Sequence, residues 1–135
     1  FSKLINQLNE TDNYFFFILC GPDEKNIENE ITSNLIHKNY LTLSDKKIKD
    51  LIPYLCASDM YVGNDSFGSH ITSQSGKKSI ILLLDSPKAY TDYSNNNYRI
   101  VPNGLNLTDM THGTNAKPES ISVNRVLDVI KNLKN

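Results

Sequence analysis

The sequence predicts an α/β fold in which a parallel β-sheet lies between two layers of helices. Apolar runs of strand length alternate with segments of helical periodicity over residues 14–84. This alternation is typical of βαβ units, which have parallel strands and right-handed crossovers. The runs at residues 14–20 and 79–84 are almost wholly apolar, as expected for strands buried on both faces. We therefore expect a three-layer αβα arrangement.

Composition and charge narrow the classes of function. The chain has 135 residues, of which 39% are hydrophobic and 21% are charged, and this suits a single domain with its own core. Its 14 basic and 15 acidic residues give a net charge of −1, so we expect no nucleic-acid partner held by bulk charge. No apolar stretch approaches the roughly 20 residues of a transmembrane helix.

Two further features concern the compartment and the extent of the chain. Cys20 and Cys56 have no metal-ligand spacing, and we expect two buried free thiols in a reducing compartment, the cytoplasm. The chain begins at Phe1 inside a predicted helix. We therefore expect residues 1–135 to be one domain of a longer protein.

The first half of the chain is predicted to form three helices and two strands. Each helix is predicted from apolar residues spaced three or four apart, and Pro53 predicts a kink or break near Ile52. In chain order, the predicted elements are a helix at residues 1–10, a strand at 14–20, a helix from Asp23 or Glu24 with apolar positions Ile27, Ile31, Leu35 and Ile36, a strand at 40–43, and a helix capped by Ser44 or Asp45 with apolar positions from Ile48 to Cys56.

The second half is predicted to contain three more strands and two more helices. Gly76 is expected just past the end of the first of these helices. Residues 103–117 are rich in Asn, Thr and Gly and predict an irregular, mobile loop. In chain order, the predicted elements are a strand at residues 60–62, a turn at 63–65, a helix from Ser66 to about Ser75, strands at 79–84 and 99–101, and a closing helix at 122–133.

Residues 60–76 form the most informative stretch. A strand that passes through a tight polar turn into a helix places the first turn of that helix at the carboxyl edge of the sheet. The free N–H groups and the positive end of the helix dipole there favour an anion, typically a phosphate. Gly21 and Pro22 also follow a predicted strand and should line the same edge. We interpret this edge as the site for the diphosphate of a nucleotide-linked substrate.

The residues of the turn and the helix have different expected roles. Asn64 or Asp65 is expected to be the N-cap, and Asp65 could instead accept a hydrogen bond from a sugar hydroxyl. Gly68 allows the backbone to approach a ligand closely. Ser66, Ser69, His70 and Ser73 share one helix face, whereas Phe67 and Ile71 are expected to pack on the sheet.

A helix cap without any ligand explains the same residues. Asn-Asp-Ser before a helix is a common cap, and His70 can be a hydrogen-bonded structural side chain. The sequence contains neither the GxGxxG dinucleotide fingerprint nor the GxxxxGK[ST] P-loop. It also lacks the G-x-S-x-G elbow of serine hydrolases, so a Ser-His-Asp triad is not expected.

Residues 62–78 resemble the C-terminal domain of glycosyltransferase family 9, the heptosyltransferase-like enzymes. The family pattern there is close to V-G-N-D-[ST]-G-x-x-H-L-A-A-A-x-G-x-P, and Asp65, Ser66, His70 and Gly76 match it in register. Weaker similarity covers most of the chain. It includes the turn after the first strand, which is similar to the family's G-G-P-x-E, and the segments 43–59 and 121–130.

The chain also departs from the family pattern. Phe67 replaces the glycine that follows D-[ST], and the glycine moves to Gly68. The small residues of the following helix become Thr72, Ser73 and Gln74, and Lys78 replaces the final proline. These departures favour a reshaped phosphate turn, and the sugar of the donor is expected to be heptose-like or another hexose.

The resemblance implies a Rossmann-like, donor-binding half of a GT-B glycosyltransferase. It would bind a nucleoside-diphosphate sugar, with Ser66 and the backbone of residues 67–69 on the phosphates and with Asp65 and His70 shaping the turn. No metal or other cofactor is implied. The catalytic base and the glycan acceptor would belong to an N-terminal domain outside this chain. Family analogy places the whole enzyme in the cytoplasm, in peripheral contact with the inner membrane face.

Two other hypotheses remain open from the sequence. A nucleotide-sugar epimerase of the same two-domain architecture would share the diphosphate site. A non-enzymatic α/β binding module would use residues 64–70 only to cap a helix. Nucleotide binding that depends on the turn would exclude the second of these.

Overall fold

The computed structural model describes residues 1–134 and shows an α/β chain in two compact units, Phe1–Tyr54 and Leu55–Asn135. Its strands form two small parallel sheets, one with the order β1-β2 and one with the order β3-β4-β5. The elements are α1 (Ser2–Thr11), β1 (Phe16–Ile18), α2 (Lys25–Ser33), β2 (Tyr40–Thr42), α3 (Ile48–Ala57), β3 (Met60–Asn64), α4 (Phe67–Gln74), β4 (Lys78–Leu82), β5 (Asn97–Ile100) and α5 (Val123–Lys134). The α/β class with parallel strands is thus confirmed.

The first unit has a small core between helix α1 and the β1-β2 sheet. Buried Ile5, Ile18 and Leu35 form its centre, and half-buried aromatic residues pack around them. The helix α1 contributes Leu4 and Leu8 as well, because its apolar residues recur at helical spacing. The prediction of an amphipathic first helix is therefore confirmed.

Strand β1 differs from the prediction. It spans only Phe16–Ile18, and Phe15 remains 62% exposed. Phe17 is also partly exposed, so the run at residues 14–20 is not buried on both faces. The reason is that β1 pairs with β2 alone, and only one face of the pair packs on the core. A continuous apolar run did not imply a central strand here.

Three other predictions for helices in the first half of the chain are wrong: the end of α2, the cap of α3, and the break near Ile52, which was the alternative to a kink at Pro53. Helix α2 ends at Ser33, so Leu35 is buried beyond the helix and Ile36 is exposed. Helix α3 begins at Ile48 and continues through Pro53, whereas Ser44 and Asp45 form a turn and do not cap it. Both residues instead contact Lys25 of α2.

The second unit is built on the three-stranded sheet. The central strand β4 is fully buried at Ile80 and Ile81, and Leu83 just beyond it is buried too. Helix α5 packs through Val126 and Ile130, as its spacing predicts. Gly76 follows α4 with φ of +83°, a conformation that favours glycine, so the predicted helix end is confirmed. Within residues 1–134, no helix is long and apolar enough to cross a membrane.

Candidate functional site

The site predicted by the sequence lies where β3 passes into α4. Strand β3 extends through Gly63 to Asn64, two residues further than predicted, and helix α4 starts at Phe67. β3 pairs in parallel with β4 over its full length, so the start of α4 follows the carboxyl end of a parallel strand. This is the position at which the sheets of α/β proteins bind ligands.

The N-cap of α4 is Ser66, and not Asn64 or Asp65 as predicted. Ser66 has extended backbone angles, with φ of −153° and ψ of 176°. The Ser69 hydroxyl accepts a hydrogen bond from the Ser66 N–H at 3.1 Å and donates one to the Ser66 carbonyl at 2.7 Å. The first turn of α4 is therefore fixed by two serines, in the manner of a capping box.

The hydroxyl of Tyr61 organises the same junction. Its oxygen lies 3.0 Å from the Asn64 carbonyl oxygen and 3.0 Å from Ser66 Oγ. A carbonyl can only accept, so the single phenolic proton goes to Asn64 and the Ser66 hydroxyl donates to Tyr61. The Ser66 proton is thus already used within the protein. Burial raises the pKa of Tyr61, a nearby Asp65 charge adds to this, and the Ser66 hydrogen bond opposes it.

Gly63 makes room for the Tyr61 ring. A Cβ atom at Gly63 would lie 2.5 Å from the Tyr61 hydroxyl oxygen, closer than carbon and oxygen atoms can approach without movement. The requirement for glycine here is therefore steric and concerns Tyr61. The sequence pattern contained Gly63 but gave no reason for it.

The faces of α4 differ from the prediction. Ser69, Thr72 and Ser73 are all buried, so the inner face of the helix is made of small polar residues. Phe67, which was expected to pack on the sheet, is 37% exposed. The Ser69 side chain therefore belongs to the helix cap, and the Ser73 side chain is buried in the interior. Neither forms an exposed polar face with His70.

His70 connects a buried carboxylate to an exposed phenol. Its Nε2 atom lies 3.2 Å from Asp65 Oδ1, at ion-pair distance but outside hydrogen-bond geometry. Its Nδ1 atom lies 2.6 Å from the hydroxyl oxygen of Tyr93, and the two rings stack with their centroids 5.5 Å apart. The Asp65 side chain is 8% exposed, whereas that of His70 is 40% exposed.

Tyr61 and Tyr93 are the two residues that the sequence analysis missed. Tyr61 precedes the predicted turn by two residues and was assigned only to the strand. Tyr93 lies 23 residues beyond His70 in a segment without helical or strand periodicity. No local signal identifies such a partner, because the contact depends on how the chain returns after β4.

Gly21 and Pro22 belong to the first unit, whereas residues 64–70 belong to the second. The Gly21 N–H donates to Glu24 Oε2 at 2.5 Å, so this turn is closed by its own carboxylate. Beside it, buried Glu28 pairs with Lys25 at 2.8 Å and accepts a hydrogen bond from Ser44.

The neighbours of Glu28 stabilise its ionised carboxylate. Burial by itself would raise the pKa of Glu28, but the hydrogen bonds from Lys25 and Ser44 outweigh it and the pKa is lowered. Lys25 also contacts Asp45 at 3.2 Å. Lys25 thus pairs with two carboxylates at once, those of Glu28 and Asp45. Within residues 1–134, no group of three or more His, Cys, Asp or Glu side chains is placed to hold a metal ion.

Comparisons with protein families, with curated proteins and with solved structures found no match to this chain. The glycosyltransferase resemblance therefore remains a prediction from the motif at residues 62–78.

Proposed function

We propose that this chain is the donor-binding part of a glycosyltransferase, which moves a sugar from a nucleoside-diphosphate sugar to a glycan or lipopolysaccharide-type acceptor. The observation that carries the proposal is the direct passage of β3 into α4 at the carboxyl edge of a parallel sheet. Such edges bind ligands in α/β folds. The family likeness at residues 62–78 specifies the substrate class.

The diphosphate would be held by the backbone at the start of α4. The N–H groups of Phe67 and Gly68 lie in the first turn and have no carbonyl partner within the helix. With the positive end of the helix dipole, they provide a place where a diphosphate would bind. Because the Ser66 hydroxyl donates to Tyr61, these amides would be the main donors. They would stabilise the charge of the departing nucleoside diphosphate.

The remaining parts of the proposal extend beyond these residues. The chain would form the Rossmann-like, three-layer half of a GT-B enzyme, and the acceptor and the catalytic base would come from its other domain. The enzyme would work in the cytoplasm, where the whole protein can contact the inner membrane face. An epimerase would share the same diphosphate site and differ in that other domain.

The test is a titration of the chain with ADP, UDP, GDP and CDP and with the matching monophosphates, followed by NMR shifts. We expect a preference for one diphosphate, with a Kd on the order of 1 mM, about −4 kcal/mol, because half of a cleft binds weakly. If no nucleotide binds, either the site needs the other domain or residues 64–70 only cap a helix, and the same titration on the longer protein distinguishes the two.

A matched pair of variants locates the site. Phe67→Pro removes the first N–H of α4, and proline is well accepted there because it follows the extended Ser66. Phe67→Ala removes the same side chain and keeps the N–H. We expect Phe67→Pro to bind about tenfold or more weakly than Phe67→Ala, since a hydrogen bond to a charged group contributes about 1.5–3 kcal/mol. Equal affinities would show that the phosphate lies elsewhere.

A further inference from the structure

A carboxylate, an imidazole and a phenol follow one another at the mouth of the β3–α4 junction. Asp65 Oδ1 lies 3.2 Å from His70 Nε2, and His70 Nδ1 lies 2.6 Å from the Tyr93 hydroxyl oxygen. The Asp65 side chain is 8% exposed, that of His70 is 40% exposed and Tyr93 is exposed, so the series runs from the interior to the solvent. A carboxylate that orients a histidine next to a hydroxyl is the arrangement that activates nucleophiles in many enzymes.

The Asp65 carboxylate lies beside the Nε2 edge of the His70 ring, at ion-pair distance but outside hydrogen-bond geometry. A carboxylate beside Nε2 favours the tautomer with the proton on Nε2. The Nδ1 lone pair is then free to accept the phenolic proton of Tyr93. The same carboxylate stabilises the imidazolium that forms when that proton is transferred. His70 is therefore placed as a general base for Tyr93, and Asp65 positions His70.

A second histidine–tyrosine pair in the same unit lacks this support. His112 Nε2 lies 2.9 Å from the Tyr90 hydroxyl oxygen, and the two rings are 5.1 Å apart. Among the described residues, no carboxylate pairs with His112. Tyr90 is 52% exposed and therefore no less accessible than Tyr93. The two pairs differ mainly in the carboxylate, so each serves as a control for the other.

We propose that Tyr93 is an additional acceptor of the sugar, beside the glycan acceptor of the other domain, in a self-glycosylation reaction for which His70 is the base. This inference rests on the proposed function, because the donor is the nucleoside-diphosphate sugar. The phenolic oxygen of Tyr93 attacks the anomeric carbon of the donor and forms a new C–O bond. The bond between that carbon and the phosphate oxygen breaks, and the nucleoside diphosphate leaves with the electron pair. The phenolic proton passes to His70 Nδ1 and from there to water.

The activation of Tyr93 can be measured without any nucleotide. The full chain is treated with limiting N-acetylimidazole, which acetylates phenolic oxygens, and the modified peptides are quantified by mass spectrometry. We expect Tyr93 to react at least about tenfold faster than Tyr90, as a positioned general base typically contributes more than that. In His70→Gln and Asp65→Asn the two tyrosines should react at similar rates. Equal rates in the unmodified sequence overturn the inference.

The transfer itself is tested with the donors. The chain is incubated with UDP-, ADP- and GDP-hexoses and ADP-heptose, and its intact mass and tryptic peptides are measured. We expect a mass gain of one glycosyl unit on the Tyr93 peptide, absent in Tyr93→Phe, strongly reduced in His70→Gln and unchanged in Tyr90→Phe. No gain at Tyr93 overturns the inference. If nucleotides still bind in that case, the proposed donor site stands, so the two failures are distinguishable.

Discussion

At the level of single residues, Tyr61 links the strand, the turn and the helix of the candidate site through one hydroxyl group. It donates to Asn64 and accepts from Ser66, and its ring occupies the space that Gly63 leaves open. The residue is half-buried, and its hydroxyl is satisfied by both partners. The geometry of the turn therefore depends on a residue of the strand.

The change Tyr61→Phe tests this link. It removes both hydrogen bonds and leaves the ring in place, so we expect the free energy of unfolding to fall by about 1–2 kcal/mol. The control is Tyr98→Phe, since Tyr98 is a half-buried tyrosine of β5. Urea denaturation followed by circular dichroism measures both. A loss no larger than that of the control would mean that the Tyr61 hydroxyl contributes nothing to the junction.

Glu28 makes the stability of the first unit depend on pH. Its pKa is lowered from the ordinary 4.5, so the folded chain binds this proton less readily than the unfolded chain. The contribution of Glu28 is thus present above pH 4.5 and is lost as the pH falls through the lower folded value. We expect Glu28→Gln to lower the melting temperature at pH 7, and the difference from the unchanged chain to shrink below pH 4.

The control for that experiment is Glu30→Gln. Glu30 lies in the same helix as Glu28 but is exposed. Melting curves between pH 7 and pH 3 should show little difference for it at any pH, as is usual for surface substitutions. If the Glu28→Gln difference stayed constant down to pH 3, the titration of Glu28 would not be its cause.

At the level of elements, α4 shows what the sequence could and could not predict. Its start near Ser66 and its end before Gly76 follow from local signals, a polar turn after a strand and a glycine, although the N-cap is Ser66 and not Asn64 or Asp65 as expected. The orientation of its faces does not, because serine and threonine are compatible with either the surface or a closely packed interior. Phe67, an apolar residue of the helix, was expected to pack on the sheet and is 37% exposed.

Two buried threonines, Thr72 in α4 and Thr91 outside it, give predictions of opposite sign for the free energy of unfolding. Thr72 is fully buried and its hydroxyl has no hydrogen-bond partner among the described residues. Thr91 is equally buried, but its hydroxyl donates to the Lys88 carbonyl at 3.1 Å. We expect Thr72→Val to raise the free energy of unfolding by about 1 kcal/mol and Thr91→Val to lower it by about the same amount.

Urea denaturation of the two valine variants measures these changes in the free energy of unfolding. Thr72 lies inside a helix, where threonine and valine have similar propensities, so the change isolates the hydroxyl group. A loss of stability in Thr72→Val would show that this hydroxyl is hydrogen-bonded in solution, for instance by an internal water.

At the level of the whole molecule, the sequence predicted the alternation of strands and helices. It did not predict that the strands would be divided between two sheets. The run at residues 14–20 has the composition of a central strand, yet β1 pairs only with β2 and leaves Phe15 exposed. Pairing is set by contacts between distant residues, and local periodicity carries no information on it. The contact of His70 with Tyr93 could not be predicted from the sequence for the same reason.

The segment between β5 and α5 is tied to the core of the second unit. It was predicted to be an irregular, mobile loop, and it is irregular apart from two short 3-10 helices, Leu107–Asp109 and Pro118–Ser120. Met110, however, is only 3% exposed and forms a buried cluster with Ile81 and Leu83. A single methionine among Asn, Thr and Gly residues has no periodic partners, so the sequence could not identify it as core.

The anchoring of this segment by Met110 is open to direct measurement. Met110→Ala leaves a cavity beside Ile81, so we expect the free energy of unfolding of the second unit to fall by about 2–5 kcal/mol. Leu105→Ala, in the same segment but 38% exposed, should change it by no more than about 0.5 kcal/mol. Amide hydrogen exchange of β4 reports both, since its buried strand opens only with its core. Equal protection of β4 in the two variants would mean that the segment lies on the sheet without stabilising it.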